Sequence, residues 1–310
     1  MTPNVAVLLA SYNGEKYICR QISSIASQIG VTVSLYISDD GSSDETLERV
    51  ADTSSLLPNR IVLLDKPRSL DLSARNSANN FYHIIVSASL PDDLQWVAFS
   101  DQDDIWHPCH LINAIAALKQ NNAEGYSSSV LAFWPDGTRR LVKKNGSISS
   151  RNHLFESPGP GCSIVLPRLV FDQLQRHLRR SLKKASRIDF HDWAIFAYVR
   201  SKGGKWIIDS DPSLLYRQHS SNVLGVQLGF KNLLRRFRML SGGWYRDQVL
   251  AVADFCDQSN DVAIQRLSRL SPFDRLQLGL LAFVVRRRIR DRVLLFIIFL
   301  FMRKNRNKNT

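Results

Sequence analysis

Cysteine is scarce: four residues, Cys19, Cys109, Cys162 and Cys256, in a chain of 310. None stands in a CxxC pair and all lie in apolar or mixed segments, so neither a disulfide framework nor a thiolate zinc site is expected. Membrane-spanning runs are missing as well. The stretch Val293 to Met302 has ten apolar residues, whereas a bilayer crossing needs roughly 20. At the N-terminus no basic segment precedes an apolar one with a small-residue cleavage site; Val5 to Ala10 run straight into Ser11-Tyr12-Asn13-Gly14. The expectation is therefore a cytoplasmic protein in a reducing compartment. Internal repeats and low-complexity tracts are also absent, and 44% apolar content is enough for an ordinary core.

The charge is unevenly placed. Residues 231–310 hold 17 Lys/Arg against 6 Asp, which puts +11 of the net +13 into the last quarter of the chain. A nearly neutral body thus carries a basic tail. Arg286-Arg287-Arg288 and Arg303-Lys304 flank the apolar run, a pattern that suits either an anionic lipid surface or a core helix with solvated arginines. Aromatics do not interleave with these charges, which disfavours nucleic acid.

Over the first 125 residues short apolar runs ending in polar clusters alternate with helical patterns, the signature of βαβ units and a mostly parallel sheet. Strands are expected at Val5–Ala10, Val33–Ser38, Arg60–Leu64 and Trp96–Ser100, with helices over Glu15–Gln28, Asn79–Ala88 and from Pro108 to Gln120. Ser42 to Glu45 fits a capping box for a helix running to Ala51. Beyond, Pro135-Asp136-Gly137 suggests a hairpin between Val130–Trp134 and Arg140–Lys143. A helix over His191–Ser201 stops at Gly203-Gly204, and the strands Lys205–Ile208 and Ser213–Tyr216 lead into Arg217-Gln218-His219. Only helical patterns follow residue 226.

In open α/β sheets ligands gather at the carboxyl ends of strands. Three such ends carry Ser11-Tyr12-Asn13, Asp39-Asp40 and Asp101-Gln102-Asp103-Asp104. The alternating carboxylates Asp101 and Asp103 suit a hard divalent cation with phosphate, although a solvated acidic turn before Pro108 is the plainer alternative. Together, the runs Val7 to Gly14, Ser38 to Thr46 and Phe99 to Trp106 resemble the family 2 glycosyltransferases of GT-A fold. Phe99 to Trp106 and His191-Asp192-Trp193 are most similar to the rhamnosyltransferase-like branch. The resemblance covers roughly residues 3–225.

The resemblance implies a mixed, mostly parallel central sheet flanked by helices as residues 1–225, while charge placement and helical patterning give 226–310 as a basic, helical, membrane-associating region. It implies an inverting transferase moving a sugar from a nucleotide diphosphate to a hydroxyl of a saccharide, possible donor dTDP-L-rhamnose and possible acceptor a lipid-linked saccharide of surface polysaccharide assembly. The nucleotide-sugar would meet Ala10, Ser11, Tyr12, Asn13, Glu15, Asp39, Asp40, Asn80, Ser100, Asp101 and Gln102, with Asp40 on the pyrimidine. Asp101 and Asp103 would hold Mg2+ or Mn2+, His219 being either a metal or diphosphate contact or a packed or surface residue. Asp192 would be the base, and Gly161, Cys162, His191 and Trp193 would lie beside the acceptor. This chain has His191 and Ala194 where many relatives have Glu and an aromatic. No Gln-x-x-Arg-Trp, the mark of processive synthases, is present. The expected partners are the donor, the acceptor and an anionic membrane surface at the inner face of the cell membrane.

Two other classes compete. A sugar-phosphate nucleotidyltransferase needs a Gly-rich phosphate loop and a basic residue after the first strand, which Ser11-Tyr12-Asn13-Gly14-Glu15 does not offer. A non-catalytic membrane-binding relic has no chemical reason to keep Asp101, Asp103 and Asp192 together.

Overall fold

A computed structural model describes residues 2–58, 60–64, 76–219 and 243–302. At its centre β1 (Asn4–Ser11) is buried over nearly its whole length, as its unbroken apolar run requires. It pairs in parallel with β2 (Thr32–Asp39) on one side and with β4 (Trp96–Ser100) on the other; β3 (Ile61–Leu63) extends the parallel set beyond β2. The register aligns Ser11 with Asp39 and Leu9 with Ser100, so three polar strand ends open at one edge of the sheet.

The seven-stranded sheet runs β10-β6-β9-β4-β1-β2-β3. Its far half is β9 (Val165–Pro167), antiparallel to both β4 and β6 (Gly125–Ser128), with β10 (Trp206–Asp209) parallel to β6. A second sheet, β5 (Ile105–Trp106), β11 (Leu214–Arg217), β7 (Val130–Phe133) and β8 (Arg139–Val142), folds over the same edge. The β7–β8 hairpin forms as expected, and β11 brings Arg217 and His219 back to the residues after β4.

Helices cover both faces. One face carries α1 (Ile18–Ala26), which buries Ile18, Ile22 and Ile25 at helical spacing, α2 (Thr46–Asp52) and α4 (His110–Asn121). On the other lies α3 (Ser77–Ser87), buried from Ala78 through Val86, with Asn76 capping it by accepting from Asn79 N–H at 2.7 Å. Two expectations need correction. The α1 helix starts at Ile18, not Glu15, because Asn13 has φ +47° and a turn closes on the Gly14 carbonyl first. The capping box does not form: Ser42 donates to Asp39, Glu45 pairs with Arg49, and Asp44 accepts from Thr46 N–H at 3.1 Å.

The short α5 (Asn152–Phe155) precedes α6 (Arg168–Arg180), the short α7 (Leu182–Ala185) and α8 (His191–Ser201). The C-terminal helices α9 (Trp244–Phe255), α10 (Val262–Arg269), α11 (Pro272–Val285) and α12 (Ile289–Phe301) pack on this side and share one core with it, Phe299 lying 6.3 Å from Phe155 ring to ring. Each such buried aromatic contributes about 1.5–3 kcal/mol by leaving water. The boundary expected at residue 225 falls outside the described residues.

Candidate active site

At the mouth of β1 the loop residues are tied to one another. Ser11 Oγ donates to Asp39 Oδ1 at 2.8 Å, and Asp39 also accepts from Gly41 N–H at 3.0 Å, Ser42 N–H at 2.7 Å and Ser42 Oγ at 2.6 Å. Both oxygens of Asp39 therefore hold the turn. Asn13 Oδ1 accepts from Ser43 N–H at 2.9 Å and Glu15 Oε2 from Glu45 N–H at 3.1 Å, so these two fasten the first loop to the second. The Gln102 amide pairs with Tyr12 in both directions, each bond 2.8 Å, and a Cβ on Gly14 would come within 2.2 Å of that amide. A side chain at position 14 would displace the Gln102 amide from Tyr12.

Asn80 and Ser100 belong to the framework. Asn80 Nδ2 donates to Ser11 O at 3.1 Å and to Ser38 O at 3.0 Å, while its Oδ1 accepts from Ser38 Oγ at 2.7 Å. Ser100 Oγ is fully buried, accepting from Gln21 Nε2 at 2.7 Å. Ala10 is buried too. What the loops present outward is the Tyr12 ring, 45% exposed, beside Asp40, whose N–H is fixed by Ser11 O at 2.8 Å.

Beyond β4 the carboxylates crowd. Burial, then the charges of Asp103 and Asp192, pushes the Asp101 carboxyl up to about 7, which puts the base candidate from α8 in the electrostatic field of the acidic motif. Asp104 is fully buried and is driven well above the carboxylate range by burial and its two acidic neighbours; Arg217 N–H donates to its Oδ1 at 3.0 Å. Asp103 Oδ2 meets His219 Nε2 at 2.6 Å, and Arg217 Nε donates to the Asp103 carbonyl at 2.7 Å. The Arg217 guanidinium is clasped between the rings of Tyr17 and Phe133, at 4.5 and 4.6 Å. The sequence reading missed Asp104 and Arg217; the two charges flanking the noted motifs were the available signal.

Asp101, Asp104 and Cys162 offer ligand atoms within 4.8 Å of one another, and Asp104 Oδ2 is buried without a hydrogen-bond partner. The oxygen donors fit a hard divalent cation. The sulfur does not: burial pushes the Cys162 thiol well above its ordinary value, so it stays protonated and hydrogen-bonds to the carboxylates. Of the expected trio, Asp101 belongs to this cluster, whereas Asp103 and His219 are bonded to each other.

Asp192 opens α8. Trp193 N–H donates to its Oδ1 at 2.8 Å, Ser157 hydrogen-bonds to it, and burial pushes its carboxyl up to about 6 against the opposing pull of these bonds and of Lys144. The α9 helix braces the approach: Gln248 accepts from Asp189 N–H at 2.8 Å and Trp244 Nε1 donates to Asp189 Oδ2 at 2.6 Å. His191 stacks on Phe81 at 3.6 Å, and a Cβ on Gly161 would sit 2.1 Å from its Nε2. Burial lowers the His191 imidazole to about 3, so it is neutral. Trp193 points into the core, donating to His153 O at 2.8 Å and stacking near Tyr245. Of the four residues expected beside the acceptor, Cys162 sits with Asp101 and Asp104, Gly161 lies against His191, and Trp193 is in the core.

A mostly parallel α/β sheet thus carries a carboxylate cluster at its strand ends, with Asp192 of α8 close enough to act on Asp101. The model of glycosyl transferase family 2 matches residues 6–165, just over half of the chain, and the protein belongs to that family. A dTDP-rhamnosyl transferase of Shigella flexneri is 35% identical over 246 residues, 79% of this chain and 83% of the relative. In fold the chain is similar to residues 1–349 of Staphylococcus aureus TarS, solved with UDP-GlcNAc (TM-score 0.51, 14% identity, 96% of this chain and 90% of that one). It is also similar to a mannosyltransferase of Pyrobaculum calidifontis solved with GDP-Man and Mn2+ (TM-score 0.50, 13% identity, 97% and 86%). The fold is GT-A, and the enzyme is a glycosyltransferase using a nucleotide-sugar.

Proposed function

We propose that the enzyme transfers L-rhamnose from dTDP-L-rhamnose, with inversion, to a hydroxyl of a lipid-linked saccharide during polysaccharide assembly at the inner face of the membrane. One observation carries the geometry: Asp192, from a distant motif, lies close enough to Asp101 for its charge to help raise the Asp101 carboxyl. The similarity to the Shigella flexneri transferase supports the donor.

In this reading residues 1–225 are the transferase domain and 226–310 its membrane-facing region. The base stacks at Tyr12 and is oriented by Asp40, while Ser11, Asn13, Glu15, Asp39, Asn80 and Gln102 set the loops that hold it. A divalent cation, Mg2+ or Mn2+, held by Asp101 and Asp103, with Asp104 behind them, would supply positive charge opposite the diphosphate. Asp192, one oxygen pinned by Trp193 N–H, accepts the acceptor hydroxyl proton as that oxygen attacks the anomeric carbon. The donor bond breaks on the opposite face and its electron pair leaves with the nucleotide diphosphate. His191, neutral and wedged between Phe81 and Gly161, keeps the start of α8 in place.

The test is a thermal-shift screen of nucleotide-sugars with Mg2+, Mn2+ or chelator. dTDP-L-rhamnose is expected to raise the melting temperature most, and only with metal; Asp103→Ala is expected to abolish that dependence. Equal stabilisation with chelator present sinks the metal assignment, and a stronger shift with another donor sinks the sugar.

A further inference from the structure

The α11–α12 connector turns inward. Arg286-Arg287-Arg288 read in the sequence as charges flanking a lipid-facing run, yet the Arg287 side chain is only 5% exposed. Its Nε meets Glu156 Oε1 at 3.1 Å and its Nη2 donates to the Ser157 carbonyl, while Nη1 is buried with no partner. Arg286 shares Glu156 at 3.6 Å, lies over the Tyr245 ring and leaves its own Nε unpartnered. Ser157 is the residue that hydrogen-bonds to Asp192. Lys144, half-buried after β8, is in the field of Arg287 and Arg288 as well as of Asp192 and Glu156. Backbone geometry makes room for this cluster: Gly146 has φ +156° with Arg287 Cβ 2.9 Å from where its own Cβ would be, and Gly159 has φ +147° against Lys144.

Glu156 faces two guanidiniums with Asp291 also in their field, and a lysine and a third arginine stand alongside, so the cations outnumber these two carboxylates. Structural ion pairs are normally complete when buried, because a desolvated guanidinium N–H without an acceptor is costly. An arrangement left short of acceptors one residue from the base has the donor chemistry for oxyanions.

Resting on the glycosyl-transfer reading above, we infer that Lys144, Arg287 and Arg288 form the acceptor's phosphate seat. They would take the phosphate or diphosphate that links the acceptor saccharide to its lipid, so that a sugar hydroxyl reaches Asp192. The donor diphosphate would be received by a cation held on the carboxylates of the acidic motif, so the two anions would be received by different chemistry.

The test measures binding of hexyl diphosphate by calorimetry in the presence of EDTA, where the carboxylate cluster cannot capture a diphosphate. Wild type is expected to bind, with affinity falling as salt rises. Lys144→Gln and Arg288→Gln should each weaken it about tenfold or more, the loss of one charge-assisted hydrogen bond. Lys183→Gln, an exposed lysine elsewhere, should leave it unchanged. These positions avoid the buried Arg287–Glu156 pair, so the variants test binding without threatening the fold. No binding by wild type, equal binding by both variants, or a lysine-dependent interaction with phosphatidylglycerol vesicles alone would each overturn the seat. Metal-dependent nucleotide binding reports on the donor reading separately, so failure of one does not imply failure of the other.

Discussion

Asp192 shows how much a side chain's surroundings add to its identity. As a lone acid in the first turn of a helix it has a structural explanation in the helix dipole. Burial raises its carboxyl to about 6, and its charge reaches Asp101 of the acidic motif, which is what the proposed role of base rests on. A base must be deprotonated, so kcat/KM is expected to fall as pH drops through about 6, and Asp192→Asn to lose transfer by several orders of magnitude while metal-dependent nucleotide binding persists. Lys144→Gln removes a charge that favours the carboxylate, so it should move the acidic limb upward. Initial rates across pH 5 to 8, roughly the range where the limb falls, check both; a flat profile for the wild type contradicts the base assignment.

Elements explain which parts of the molecule were legible before its structure. The strands β1, β2 and β4 announce themselves because apolar runs stop at polar clusters, and the same stops name the site. The β6 strand, Gly125-Tyr126-Ser127-Ser128, carries no such pattern although it is wholly buried. Its serines are satisfied by partners far along the chain, Trp206 Nε1 donating to Ser127 Oγ at 3.0 Å and Ser128 N–H to Ser163 Oγ at 3.1 Å. Periodicity cannot see compensation of that kind. The clamping role of Asn80 is hidden for a related reason: an amide in α3 that bonds the ends of β1 and β2 looks, in one dimension, like any other polar residue. Replacing it by Asp removes both donors and sets a charge against two buried carbonyls. Asn80→Asp should therefore destabilise by about 2 kcal/mol or more. Urea denaturation measures this; an unchanged midpoint would mean that the clamp contributes nothing.

The whole molecule accumulates strain in its charge distribution. Asp101 and Asp192 have carboxyls raised in the folded state, to about 7 and about 6, so the stability they confer is complete below the ordinary carboxylate range and is lost as pH rises to about 7. Metal-free protein is expected to melt several degrees lower near neutrality than in mild acid, with Asp101→Asn flattening the curve. A steeper decline in the variant would show that the pair is not the source. Outside, Leu276, Leu280, Phe283 and Val284 of α11 and Ile289, Val293, Ile297 and Phe301 of α12 stay exposed at helical spacing. Among the described residues no helix is long and apolar enough to cross a membrane. With Arg290 81% exposed nearby, this face suits shallow seating on anionic lipid. Leu280→Glu with Ile297→Glu should release the enzyme from phosphatidylglycerol vesicles in a sedimentation assay; full retention would count against it.

The inward turn of the α11–α12 connector has a further consequence for those two faces. Arg287 donates to the Ser157 carbonyl, Ser157 hydrogen-bonds to Asp192, and the helices on either side of the connector carry the apolar exterior, so a chain of contacts joins that surface to the proposed base. If a ligand at one end changes affinity at the other, reciprocity requires the second to change the first by the same factor.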